Sequence, residues 1–205
     1  MIKYICIIIL VIILLILFKY AIQENFTSNM RNIYGEPLQP CQENGMTNGS
    51  WDNEGKCSEL GGGVHQICIK NIAKNARGFS RNTGQSNWSD QRDINNHCVC
   101  LGAWSLYNAK SNSDIENKIL KCDAIPENAF SDNYVSKFSQ GWNKWNDLEL
   151  DNQIINGVES LMQHCYLNAG ISSEKREKLR QKYCQFTKNH SVLKNRDMYQ
   201  SHCNQ

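Results

Sequence analysis

The sequence predicts an α+β fold: a small mixed domain with short strands and helices, preceded by one N-terminal transmembrane helix and followed by a helical C-terminal region. Three observations carry this. Residues 4–18 hold no charge and are almost all Ile, Leu and Val. Residues 35–104 mix turn-forming Gly and Asn with short apolar runs and hold five of the ten cysteines. Residues 154–186 repeat apolar side chains at helical spacing.

The first stretch reads as an anchor. Tyr4–Phe18 spans about 22 Å as a helix, and Met1–Ile22 about 33 Å, against a hydrocarbon core of ~30 Å. Lys3 and Lys19 then reach the two interfaces. A cleaved signal peptide is the competing reading, but the run ends in Phe-Lys-Tyr-Ala-Ile-Gln-Glu, with no small-x-small cleavage site. Residues 1–22 are therefore expected to cross a membrane bilayer once, with 23–32 as a polar linker. Lys3 and the amino terminus oppose Lys19 and Arg31, so charge leaves the orientation open. Cys6 lies within the span and is assigned packing or acylation.

Residues 33–145 are expected to form the cysteine-rich α+β domain. Pro37 and Pro40 favour an extended start, and Asn48-Gly49 is a hairpin signal. Val64–Ile69 reads as a strand after Gly61-Gly62-Gly63, which lacks the lysine and spacing of a phosphate loop. Ala73–Ser80 reads as a short helix, Cys98–Cys100 leads into a helix through Ala109, and Ile119–Ile125 reads as a strand. Pro126 opens a short helix, and Ser131 caps another toward Ser139.

Within this region the order of motifs resembles the small bacterial family called domain of unknown function 2237. The matching residues are Gly35, Pro37, Leu38, Pro40 and Cys41, then Met46 and Thr47, then Gly55 and Cys57. They continue through Gly63, His65 and Cys68, Phe79 and Ser80, and Cys98, Cys100 and Trp104, with LKCDAIPENAF as the closing segment. The resemblance covers about residues 33–140. Residues 86–97 replace that family's Pro/Gly-rich loop, and its members lack both the tether and the C-terminal region. It implies a fold, cytosolic reduced thiols and no settled activity.

The candidate chemistry sits on Cys41, Cys57, His65, Cys68, Cys98 and Cys100. Four Cys or His ligands suit zinc, although no CxxC pair is present. Cys57 or Cys68 beside His65 would supply a thiolate and a base. Buried free thiols and disulfides are the plainer alternatives, and nine cysteines beyond Cys6 leave one over. No motif names a cofactor.

Residues 146–205 are expected as a separate helical region. Ile154, Val158, Leu161 and Cys165 form one stripe, and Leu179, Tyr183 and Phe186 another, with Gly170 at the turn between them. Such a hairpin would bring Cys165 to Cys184 as a disulfide. Lys175, Arg176, Lys178, Arg180 and Lys182 form a basic face for an anionic surface or a protein partner.

Charge excludes one class of partner. Apart from Lys3 and Lys19 the chain holds 20 basic and 20 acidic residues, so no nucleic acid is expected. The zero conceals an asymmetry: residues 171–205 carry 8 basic and 3 acidic side chains, residues 20–170 carry 12 and 17. Attraction between tail and body is one expected consequence. Trp51, Trp88, Trp142 and Trp145 among polar residues suit core anchors and turn packing, the commoner uses, or sugar platforms, and N-x-S/T sites occur at Asn25, Asn48, Asn87 and Asn189. The richness in Asn, Ile and Lys fits an AT-rich genome, that of a protist or a large DNA virus, and for a viral source a host or virion membrane is the expected location. The function expected is a membrane-anchored structural or binding module, with a membrane-tethered thiol- or metal-dependent enzyme as the alternative.

Overall fold

Helical periodicity dominates the chain, and among the described residues the paired strands are two short ones that carry cysteines. The computed structural model describes residues 2–28, 30–42, 52, 54–58, 65–92, 95–110, 119–131 and 150–204. The turn at Asn48-Gly49, the glycine triplet, the helix after Ser131, and Trp51, Trp142 and Trp145 lie outside the described residues. The chain divides into two compact units, Met1–Met30 and Arg31–Gln205.

The first unit is α1 (Ile2–Ser28), 27 residues long. Its apolar side chains from Ile7 to Phe18 are all exposed, between 48% and 66%. Among the described residues no helix is long and apolar enough to cross a membrane. The unbroken run of described side chains on α1, 7–19, covers about 20 Å.

The second unit mixes helices with one two-stranded sheet, an α+β arrangement. It opens on a strap built around Asn32, which is fully buried. Its Oδ1 accepts from the backbone N–H of Tyr34 at 2.9 Å and of Glu36 at 3.1 Å, the local turn that Asn favours. Ile33 then donates to Ile125 O at 2.9 Å, fixing the strap to the 119–125 segment.

β1 (His65–Ile69) and β2 (His97–Cys100) pair antiparallel, with Cys68 opposite Cys98 and Ile67 opposite Val99. The expected strand at 119–125 is reduced to a single bridge, Ile69 to Leu120, after which Cys122–Ala124 winds into a 3-10 turn. Between the strands the one expected helix is split into α2 (Ile72–Asn75) and α3 (Phe79–Asn82). Gly78, at φ +68°, separates them, a dihedral that ends a right-handed helix.

β2 runs directly into α4 (Leu101–Lys110), whose residues Leu101–Tyr107 are all buried. A helix hidden on every side for two turns needs neighbours all round. One of them is α5 (Leu150–Tyr166), which buries Ile155, Val158, Leu161, Met162 and Cys165. α6 (Ser173–Thr187) follows, capped by Ser172 Oγ accepting from Lys175 N at 3.2 Å, and then α7 (Asp197–His202). The stripe Leu179, Tyr183 and Phe186 is buried as its spacing predicts. Residues 150–204 belong to the same unit as the hairpin, so the separate C-terminal region expected beyond 145 is not a body of its own.

The α4–α5 crossing is close because Gly157 has no side chain. A Cβ there would meet Ser105 Oγ at 1.8 Å and Ser105 Cα at 3.0 Å. Trp104 Nε1 uses that proximity to donate to Gly157 O at 3.1 Å. Gly157→Ala should therefore destabilise the fold by about 2–3 kcal/mol through overpacking. Adding Ser105→Gly should restore part of the loss in chemical denaturation, whereas no recovery would mean the clash lies elsewhere.

Candidate functional site

The cysteines expected to form a thiol or metal cluster do converge, as two disulfides. The hairpin register sets Cys68 and Cys98 directly across from each other, side chains on one face. Cys68 bonds Cys41 and Cys98 bonds Cys57. All four are fully buried. The sulfurs of Cys41, Cys57 and Cys98 lie within 4.8 Å of one another, so the two bridges are packed together.

Backbone geometry brings the loop cysteines in. Cys41 N donates to Gly55 O at 2.7 Å, and Asn96 Nδ2 to Cys41 O at 2.6 Å. Gly55 has φ +76°, and a Cβ there would sit 2.1 Å from Gln42 O, so only glycine fits. Asp52 Oδ1 accepts from the N–H groups of Glu54 and Lys56, each at 2.9 Å, turning the chain just before Cys57.

This arrangement corrects the thiol and metal readings for four of the six candidate residues. Zinc takes thiolates as ligands and nucleophilic catalysis needs a thiolate, and a sulfur committed to a disulfide is neither. Cys100 is the cysteine outside a disulfide among the described residues beyond α1. It is 3% exposed, and its sulfur accepts from Ala103 N at 3.4 Å, capping the first turn of α4. His65, half-buried, faces Cys100 across the hairpin at the ladder's irregular end.

The Cys165–Cys184 bridge is also corrected. Cys165, fully buried on α5, bonds Cys122, and Cys184, half-buried on α6, bonds Cys203. Cys165 faces the 119–125 segment, where Tyr34 Oη also donates to Cys165 O at 3.1 Å. Cys184 faces the chain end, its sulfur 3.7 Å from His202 O. Sequence reasoning left Cys122 and Cys203 without roles, because bridging partners are fixed by tertiary contact.

The basic face of α6 is largely neutralised. Lys175 pairs with Glu36 at 2.8 Å, Lys178 with Glu174 at 2.7 Å, Arg180 with Glu177 at 2.7 Å and Lys182 with Glu127 at 2.7 Å. Arg176 donates to the carbonyls of Tyr166 at 3.1 Å and Asn168 at 3.5 Å. Two of these pairs join the tail to the body, together with Arg196–Glu159 at 3.9 Å. Part of the charge asymmetry is thus offset by intramolecular pairs.

Trp88, a candidate sugar platform, is half-buried. Its ring sits 4.5 Å from His97 and 6.2 Å from Phe79, with the Arg92 guanidinium 5.4 Å from its centroid. Burial, then Arg92 and His65, holds His97 down to about 3. A histidine depressed in this way stays neutral while the unfolded chain protonates near pH 6.5. The native state then loses stability as pH falls from about 6.5 toward 3. His97→Phe should flatten that slope relative to the parent, read from denaturation midpoints at pH 7 and 5. Equal slopes in the two proteins would show that His97 is not held neutral.

No family model, curated protein or solved structure matches the chain, so the resemblance over residues 33–140 gains no support from relatives.

Proposed function

We propose that this chain is a membrane-anchored, disulfide-stapled module that acts by binding or as a structural component, with its domain on the oxidising side of a membrane. The observation that carries the reading is the state of the cysteines. Eight of the nine beyond α1 are joined in four disulfides, and the ninth, Cys100, is buried. Disulfides persist outside the reducing cytosol.

The sequence of α1 supports the anchor. Its backbone is helical over 27 residues, about 40 Å, and Lys3 and Lys19 are the only charges in Met1–Ile22. A run of Ile and Leu exposed on every side is stable in lipid and costly in water. With the domain outside, the amino terminus and Lys3 face the cytosol. A host or virion membrane suits such a module. The near-zero charge beyond the anchor gives no electrostatic footprint for nucleic acid. The tethered-enzyme alternative loses its nucleophile and metal ligands to the bridges.

Asn87 and Asn189 are exposed acceptors in N-x-S sequences, and only a lumenal domain meets the glycosylation machinery. The full chain expressed in a secretory cell should resist carbonate extraction and shift on endoglycosidase treatment. Asn87→Gln and Asn189→Gln should each remove part of the shift. An unglycosylated chain released by carbonate would overturn the proposal.

A further inference from the structure

The four bridges are not equally shielded. The cysteines of Cys41–Cys68, Cys57–Cys98 and Cys122–Cys165 are each at most 5% exposed. Cys184 and Cys203 are both only half-buried, and Gln181, Gln185, Gln200 and Asn204, close to them in sequence, are exposed. An attacking thiolate must approach a disulfide sulfur directly, so access ranks the bridges. Of the four, Cys184–Cys203 is the one open to attack on the folded protein.

Opening it has a local consequence. The two cysteines are 19 residues apart, and between them lie the 3-10 turn Ser191–Asn195 and α7. A six-residue helix falls well short of the roughly 12–15 residues at which an isolated helix becomes marginal in water, so α7 is ordered by what holds it. Among the described side chains of this segment Leu193 and Met198 are buried. Its polar ties include Arg196 Nη2 donating to Asn156 Oδ1 at 2.6 Å, Arg196 against Glu159 at 3.9 Å, and Arg180 Nη1 donating to His202 O at 2.8 Å. Cys184–Cys203 adds the covalent tie to α6, whereas the other three bridges fasten the hairpin and α5.

We propose that Cys184–Cys203 is an exchange disulfide, the site where a dithiol reductant acts on the folded protein and frees residues 191–203 from α5 and α6. One thiolate of the dithiol attacks a bridge sulfur and forms a mixed disulfide, while the other bridge sulfur leaves as a thiolate and takes up a proton. The second sulfur of the dithiol then gives up its proton and displaces the mixed disulfide. The reductant ends as its own disulfide, and Cys184 and Cys203 end as two thiols, a transfer of two electrons and two protons. Release takes Arg196 off Asn156 and Glu159 and opens that face of α5 to water. The inference needs the bridges formed and does not depend on the anchor.

The test treats the full chain in detergent with dithiothreitol at neutral pH, without denaturant, and quenches samples with an alkylating reagent for peptide mapping. Cys184 and Cys203 should be alkylated faster than every other bridged cysteine by about tenfold or more, at a rate proportional to dithiothreitol concentration. In the protein reduced at this bridge, amides of 193–203 should exchange hydrogen faster by about tenfold or more, with β1, β2 and α4 unchanged. Cys184→Ser/Cys203→Ser should reproduce that pattern without reductant. Reduction no faster than at the other bridges, or a rate that levels off with dithiothreitol as for a bridge reached only through local opening, would overturn the proposal. So would unchanged hydrogen exchange over 193–203 in either the reduced protein or the double variant, or free Cys184 and Cys203 before any reductant is added. A failed anchor would show only in carbonate extraction, which none of these readouts touches.

Discussion

The cross-strand pair Cys68 and Cys98 is the constraint on which the domain turns. A two-stranded hairpin of five and four residues is marginal by itself. From its paired cysteines, one bridge reaches Cys41 and the other Cys57, so two loops are fixed to the same face of the hairpin. A third bridge, Cys122–Cys165, ties the segment beside β1 to α5, and the fourth closes the chain end onto α6. Closing loops of 19 to 43 residues contributes about 3–4 kcal/mol per bridge in the chain-entropy account, less where loops overlap. The strands are short, and the bridges supply the order that a larger sheet would otherwise provide.

Helix packing and charge complete the arrangement in different ways. Burial of Trp104 against Gly157, and of Leu179, Tyr183 and Phe186 on α6, supplies the non-directional part of the stability. The ion pairs between tail and body are partly exposed and contribute about 0–1 kcal/mol each. Their effect is on the orientation of α6.

Periodicity made the helices legible in advance. The stripes Val158, Leu161 and Cys165 on α5 and Leu179, Tyr183 and Phe186 on α6, and the strand-to-helix step at Cys100–Leu101, follow from spacing and residue type alone. Gly55 also carries its reason in the sequence, once it is seen to need a positive φ. The pairing of the cysteines was hidden, because nine thiols allow many partitions and only the hairpin register places Cys68 against Cys98. The same limit hid Cys122 as the partner of Cys165: they are 43 residues apart and meet only after α5 packs on the domain.

Among the described residues beyond α1, eight cysteines are bridged and Cys100 is buried, so none of them presents an accessible thiol. Peptide mapping of the non-reduced protein, isolated from membranes under alkylating conditions, tests that most directly. It should recover 41–68, 57–98, 122–165 and 184–203 as linked peptides, with Cys100 alkylated only after unfolding. Recovery of Cys41, Cys57, Cys68 and Cys98 as alkylated free thiols, or of zinc released in proportion to the chain, would contradict it.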